Sequence, residues 1–235
     1  MTDNNYVFTC QNLSKSFGNF RALEGVNLAI PKGRIVGLLG PNGSGKTTLL
    51  KLGNGLLVPS YGEILIGGNK PGIETKKIVS YLPDANYLPS WMKVSQLVQM
   101  FEDFYEDFDT ARANEMLYNL SISGDLPLKT LSKGTKEKVQ LILAMSRRAS
   151  LYMLDEPIGG IDPAARDYVL NTIIGNYSPE SSVIISTHLI SDVEQILDDV
   201  IFIHSGKIVL VRSVDDIRAQ EGKSVDQYFR EIFRC

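Results

Sequence analysis

Gly40-Pro41-Asn42-Gly43-Ser44-Gly45-Lys46-Thr47 is a G-x-x-x-x-G-K-[ST] run. Such a run is suited to holding phosphate. Its glycines let backbone N–H groups turn inward around an anion, and the helix that follows aims the positive end of its dipole at the same place. Lys46 is expected to reach the β- and γ-phosphates of a nucleotide and Thr47 to offer its hydroxyl to Mg2+, with Thr48 completing the phosphate-binding set. A phosphate loop of this kind works with an acid at the end of a second buried strand. Leu151-Tyr152-Met153-Leu154-Asp155-Glu156 supplies a pair. Asp155 is placed to hold Mg2+ through water. Glu156, one residue on, is placed to polarise an attacking water as general base. The chemistry these residues point to is hydrolysis of a nucleoside triphosphate.

Rigid elements must carry them. Ile35-Val36-Gly37-Leu38-Leu39 is apolar throughout and runs straight into the loop. A strand buried on both faces of a parallel sheet has that composition. Helix character begins at Lys46 and is predicted to reach about Leu57, ahead of Pro59 and Gly62. The first third also predicts strands at Tyr6–Leu13, Val26–Ile30 and Gly62–Ile66, with Pro31-Lys32-Gly33 as a turn. The last third predicts strands at Leu151–Leu154, Val183–Ser186 and Val200–His204, the last turning at Ser205-Gly206 into Lys207–Val211. Between them the texture is helical. Leu97, Met100, Phe101, Phe104, Tyr105 and Phe108 recur at helical spacing from Val94 to about Leu120, and a further helix is predicted over about Thr135–Arg148. The acids Glu102, Asp103, Glu106, Asp107 and Asp109 read as a solvated helix face. One or two short amphipathic helices are predicted from Asp215 to Cys235. A helical insert, roughly residues 86–148, thus interrupts an α/β domain.

Composition narrows the function classes. With 43% hydrophobic and 22% charged residues, the 235-residue chain is an ordinary globular one rather than disordered. Its 24 Lys+Arg against 27 Asp+Glu give a net charge of -3, which weighs against a nucleic-acid partner. Cys10 and Cys235 cannot make a disulfide framework and fit a reducing compartment. No run approaches the roughly 20 apolar residues of a membrane helix. The start of the chain lacks a basic stretch followed by an apolar one, so no secretory signal is expected. The chain is expected to be cytoplasmic, with any membrane role coming through a partner.

Leu131-Ser132-Lys133-Gly134-Thr135 opens a helix just before the second buried strand. Gly159-Gly160-Ile161-Asp162-Pro163 and Ser186-Thr187-His188 follow that strand. In order and spacing, this set with the phosphate loop resembles the ATP-binding subunits of ABC transporters over nearly the whole chain. The resemblance implies an α/β P-loop NTPase core, mostly a parallel sheet with flanking helices, an antiparallel β subdomain and an inserted α-helical subdomain. It implies one domain over 1–235: a core of 1–85 and 149–212, a helical subdomain of 86–148 and a helical tail of 213–235.

The resemblance also implies roles. Ser132 and Gly134 match the signature motif that contacts the γ-phosphate of ATP on the opposite subunit. Asp162 matches the loop that crosses the dimer interface, and His188 the histidine that holds the γ-phosphate, Glu156 and water together. Phe17 matches the aromatic residue that stacks on adenine, with Phe20 as the alternative. Three positions depart from the family pattern. Lys133 and Thr135 replace a Gly and a Gln in the signature. Asp84 stands where a Gln is usual and could still meet Mg2+, a carboxylate being a hard oxygen ligand. Phe17 stands where a Tyr is usual, and stacking does not need the hydroxyl.

The wording of Tyr81–Met92 and Leu131–Lys136 looks like a bacterial subgroup, the YtrB-like exporter ATPases of GntR-linked operons. The implied function is an ATPase that dimerises around two ATP molecules, a homodimer before a heterodimer, and powers an exporter of antimicrobial or amphipathic peptides or related compounds. The implied partner is a transmembrane permease subunit, holding the chain at the cytoplasmic face of the plasma membrane. Tyr87, Trp91 and Met92 are candidates for that interface. The alternatives are a soluble ABC ATPase not coupled to transport, as in iron–sulfur assembly, and a nonhydrolysing regulatory subunit.

Overall fold

A computed structural model describes residues 5–161, 163–176, 178 and 180–233. The chain opens with a hairpin of β1 (Tyr6–Phe17) and β2 (Phe20–Pro31). β3 (Ile35–Leu39) and α1 (Lys46–Gly53) follow, and β4 (Tyr61–Ile66) returns to complete a three-stranded sheet in the order β2-β1-β4. α2 (Ile73–Ile78) leads into β5 (Val79–Leu82). Three helices come next, α3 (Val94–Phe104), α4 (Thr110–Asn119) and α5 (Lys133–Met145). Then come β6 (Leu151–Asp155), α6 (Pro163–Asn176), β7 (Ser182–Thr187), the short α7 (Ile190–Val193), β8 (Asp199–His204), β9 (Lys207–Ser213), α8 (Val214–Glu221) and α9 (Val225–Phe233). The larger sheet is six-stranded, ordered β5-β6-β7-β3-β8-β9, and only the β8–β9 pairing is antiparallel. Ser205 at φ 47° and Gly206 at φ 76° make that hairpin's two-residue turn, both left-handed as the type I′ geometry demands.

Alternation along the central strands decides what each face meets. Ile35 and Leu39 of β3, Tyr152 and Leu154 of β6, and Val200 and Phe202 of β8 face one cluster, together with α5, α6 and α9. Val36 and Leu38, Leu151 and Met153, and Ile201 and Ile203 face the other, against the antiparallel sheet and α1. Both faces are covered, which explains why the strands read as continuous apolar runs. A third cluster lies among α3, α4 and α5, around Leu97, Phe101, Met116, Val139 and Ile142.

Several boundaries differ from the sequence-based expectation. β1 and β2 extend to Phe17 and Phe20, well past Leu13 and Val26, because register shifts between Cys10 and Ser16 break the two-residue period. α1 stops at Gly53 rather than Leu57. Gly55 turns left-handed at φ 68°, and the N–H groups of Gly55 and Leu56 close on the carbonyls of Leu52 and Lys51, a Schellman ending. The helix expected over Val94–Leu120 is two helices. Asp109 caps the second by accepting from the Arg112 N–H at 3.0 Å.

The acidic run is not a uniformly solvated face. Asp107 grips the Arg147 guanidinium at 2.9 and 3.1 Å, and Asp109 accepts from Arg148 at 2.9 Å. Met92 packs against the third cluster. No helix among the described residues is long and apolar enough to cross a membrane.

Candidate nucleotide site

Parallel strands end at one edge of their sheet, so the order β5-β6-β7-β3 sets four loops side by side. β5 delivers Asp84, β6 Asp155 and Glu156, β7 His188, and β3 the Gly40–Thr47 loop. In register, Leu82 pairs with Leu154, Asp155 with Ser186, and Leu39 with Thr187.

Space and backbone conformation require glycine at two places in the loop. A Cβ on Gly40 would stand 2.2 Å from the Ile203 carbonyl oxygen. Gly45 caps α1 at φ 111°, which L side chains rarely adopt. Beneath the loop the Ser44 hydroxyl is buried and meets no hydrogen-bond partner. Lys46 is buried too. Its Nζ donates to the carbonyls of Gly40 at 2.7 Å and Pro41 at 3.2 Å, and lies 3.7 Å from Glu156 Oε1. Burial pushes its pKa down, against the pull of Glu156, Asp155 and Asp84.

Asp155 is 1% exposed. One carboxylate oxygen accepts from the Ser186 hydroxyl, and Oδ2 is buried without a partner. Burial raises its pKa, opposed by hydrogen bonds from Ser186 and Thr47. Glu156 takes a left-handed backbone at φ 51°, a strain that clusters at functional sites. Its N–H donates to the Ser186 carbonyl at 2.9 Å. Its carboxylate accepts from the Thr187 hydroxyl at 3.0 Å and meets His188 Nδ1 at 3.0 and 3.1 Å.

Two clefts of about 250 and 260 Å³ meet here and share Asn42, Asp84 and Glu156. The first is lined also by Lys133, Glu137, Asp155 and His188. The second is lined by Gly43 to Thr48 and by Phe20. A wider cavity of about 750 Å³ lies where β6 and β7 begin, away from these groups, at Lys32, Arg148 and Ser181.

The residues expected at the site fall into three groups. Asn42 to Thr48, Asp84, Asp155, Glu156 and His188 line the two clefts, and Gly40 and Pro41 lie behind them, their carbonyls accepting from Lys46. Phe17 pairs with Phe20 across the hairpin turn and lies under the Lys15 ammonium at 5.1 Å, whereas Phe20 is the one lining the loop's cleft. Ser132 and Gly134 start α5 and line neither cleft. Ser132 caps the helix by accepting from the Thr135 N–H at 3.2 Å, and its hydroxyl lies 2.8 Å from that of Thr135. Asp162 lies outside the described residues.

Two side chains that the pattern of the sequence did not single out also belong here. Glu137 lines the cleft with its carboxyl pKa raised by burial, against Lys133. Tyr81 points a buried, unpartnered hydroxyl into the region of Asp155 and Asp84, and burial raises its pKa. The Thr47 hydroxyl beside a half-satisfied, buried Asp155 carboxylate is an all-oxygen donor set, which suits a hard divalent cation such as Mg2+.

A sequence profile of the ABC transporter family matches residues 23–159, from β2 through the Asp155-Glu156 pair. The chain belongs to the ABC transporter family as an ATP-binding subunit. This family binds ATP and hydrolyses it to power transport, so the chain is an ATPase. Among its relatives is the ABC transporter ATP-binding protein YtrB of Bacillus subtilis, 32% identical over 211 residues, which covers 88% of this chain and 72% of that one. The SkfA peptide export ATP-binding protein SkfE of the same organism is 32% identical over 231 residues, covering 95% and 94%. A solved ATP-binding subunit of an ABC transporter superposes with a TM-score of 0.86 at 28% identity, covering 97% of this chain and 99% of that one. The ABC ATPase accordingly has its α/β sheet, antiparallel sheet and helical insert arranged as in a known subunit of the same kind.

Proposed function

We propose that this ABC ATPase works as a pair of identical chains and drives an exporter, with Glu156 as the general base. The observation that supports the role of Glu156 most directly is the hold on its side chain. Its strained backbone and its bonds to Thr187 and His188 aim the carboxylate across the mouth of the phosphate loop, 3.7 Å from Lys46. When ATP enters, its phosphates compete with that carboxylate and the two loop carbonyls for Lys46. Glu156 is then released to take a proton from water as the water oxygen attacks the γ-phosphorus and the bond to the β-phosphate oxygen breaks. His188, bonded through Nδ1, leaves its other ring nitrogen for the γ-phosphate. Thr47 and Asp155, with Asp84 as a further oxygen, would hold Mg2+, which neutralises phosphate charge when bound. Phe20 or Phe17 stacks on adenine.

Ser132 and Gly134 serve the nucleotide of the opposite chain, and Asp162 the interface between the chains. The capped start of α5 supports this. Its remaining first-turn N–H groups suit a γ-phosphate, and Ser132 and Gly134 line neither of this chain's own clefts, although Lys133 between them borders the first. Tyr87 and Trp91, 46% and 69% exposed beside the third cluster, are proposed to meet a permease subunit at the cytoplasmic face of the membrane. The likeness to a peptide-export ATPase supports antimicrobial or amphipathic peptides or related compounds as cargo.

Replacing Glu156 tests the reading. Glu156→Gln is expected to bind ATP as the parent does and to lose roughly 10²–10⁴-fold in turnover, read as steady-state phosphate release beside nucleotide titration. Parent-like turnover would remove Glu156 from the role.

A further inference from the structure

The loop after Glu156 is braced by the first turns of α5. Gly160 lies so close to the Glu137 carboxyl that a Cβ there would stand 2.1 and 2.4 Å from its two oxygens. The φ of Gly160 is not in the left-handed region, so what a side chain there would have to displace is the Glu137 carboxyl, the end of a flexible side chain. One turn earlier, a Cβ on Gly134 would stand 3.8 Å from the Gly160 carbonyl oxygen, which is ordinary contact. The loop is tied back to Glu156 by the Gly159 N–H, which donates to the Glu156 carbonyl at 3.1 Å. Glu137 itself is poorly compensated. Lys133 lies 3.8 Å from Oε1, with its side chain 84% exposed, and Oε2 is buried with no hydrogen-bond partner. An unpartnered buried acceptor costs about 1–3 kcal/mol, so the contact of this carboxyl with Gly160 is made at a cost to stability.

We propose that Glu137 is a positioning residue, the brace through which the helix begun by Ser132 and Gly134 sets the Gly159-Gly160 loop and hence the Glu156 carboxylate. This inference rests on the reading above, in which that helix start serves one nucleotide and Glu156 the other. It adds a mechanical link between the two sites inside one chain. Engagement of Ser132 by the opposite ATP presses α5 on Gly160, and the loop carries the shift to Glu156. Shape rather than charge does the bracing, so an amide of the same length serves as well.

The experiment compares steady-state ATP hydrolysis by Glu137→Ala and Glu137→Gln with the parent. Misplacement of a catalytic group by about 1 Å can cost about 100-fold. Glu137→Ala is accordingly expected to lose about 10- to 100-fold in kcat, with KM for ATP within about twofold. Glu137→Gln is expected to restore kcat to within about threefold of the parent. A smaller fall in the alanine variant overturns the proposal. So does a fall matched by weakened ATP affinity, or an equal loss in the glutamine variant. If the alanine variant does not fold, Gly160→Ala puts a methyl where the carboxyl rests, and the same loss of kcat at constant KM is required of it. Glu156→Gln run in parallel separates the two claims. Parent-like turnover there removes the reading on which this inference stands. An inactive Glu156→Gln beside an undisturbed Glu137→Ala overturns the brace alone.

Discussion

Asp155 is held against the stability of the fold. Its carboxylate is buried at the strand end with one oxygen unpartnered, and burial raises its pKa above the ordinary 3.8. Between that value and the raised one the folded chain binds more protons than the unfolded chain. Stability therefore falls as pH climbs through this window, and above it the full penalty stands. Asp155→Asn keeps the size and removes the charge, so it is expected to stabilise the nucleotide-free protein by on the order of 1 kcal/mol. Calorimetry should show the melting temperature up by about 2–4 °C, while hydrolysis is lost. A lower melting temperature would mean that the charge is already compensated.

Lys46 works the other way. Its Nζ is occupied by two carbonyls and a carboxylate that a triphosphate can replace, so Lys46→Ala removes charge-assisted bonds from the complex. At about 1.5–3 kcal/mol for such bonds, ATP affinity should fall by roughly 10- to 150-fold, as measured by isothermal titration. Unchanged affinity would contradict the placement of Lys46. These residues are legible in the sequence because each sits within a few positions of the strand that aims it. Glu137 is not, because what gives it meaning is Gly160, on the loop that follows the buried strand β6.

At the scale of elements, Arg147 shows what patterning cannot foresee. It lies just beyond α5, inside what reads as helix, with its side chain 4% exposed. There it holds Asp107 through two nitrogens, donates to the carbonyls of Val79 at 2.5 Å and of Lys76 and Lys77 at 3.2 and 3.1 Å, and covers the Tyr105 ring at 4.0 Å. One guanidinium thus ties the α3–α4 connection to the end of α2 and the start of β5. The helix carrying Glu102 and Asp103 ends at Phe104, and Asp107 beyond it turns to Arg147 instead of continuing a solvated face. Strands β3, β6 and β8 are readable because each is a local apolar run of strand length. The Arg147 knot joins segments far apart in the chain, and no local period records it. Arg147→Ala leaves the Asp107 carboxylate and three carbonyls without their donor, and should cost about 3–5 kcal/mol. Arg147→Lys should recover little, since an ammonium cannot reproduce the fork. Urea denaturation measures both, and a loss under about 1 kcal/mol for the alanine variant would show the knot to be dispensable.

For the whole molecule, the decisive fact is where the two halves of the proposed ATP site lie. The phosphate loop, Asp155, Glu156 and His188 meet at one sheet edge, while Ser132 and Gly134, which open α5, line neither of the clefts lined by those groups. If each nucleotide needs both halves, each site is built from two chains. The net charge of -3 is too small to keep two copies apart. A twofold pair built this way makes a sharp prediction, because defects can be sorted onto different sites. Lys46→Ala spoils the phosphate loop, and Ser132→Phe blocks the exposed helix start; each variant alone should be inactive. In a mixed pair, both defects fall on one site and the other site has an intact loop facing an intact helix start. Mixing the two variants in equal amounts should therefore revive hydrolysis to about a quarter of the parent rate, since about half the pairs are mixed and each has one good site. Activity that stays at the sum of the separate variants would mean that each chain completes its own site, and the twofold arrangement would have to be given up.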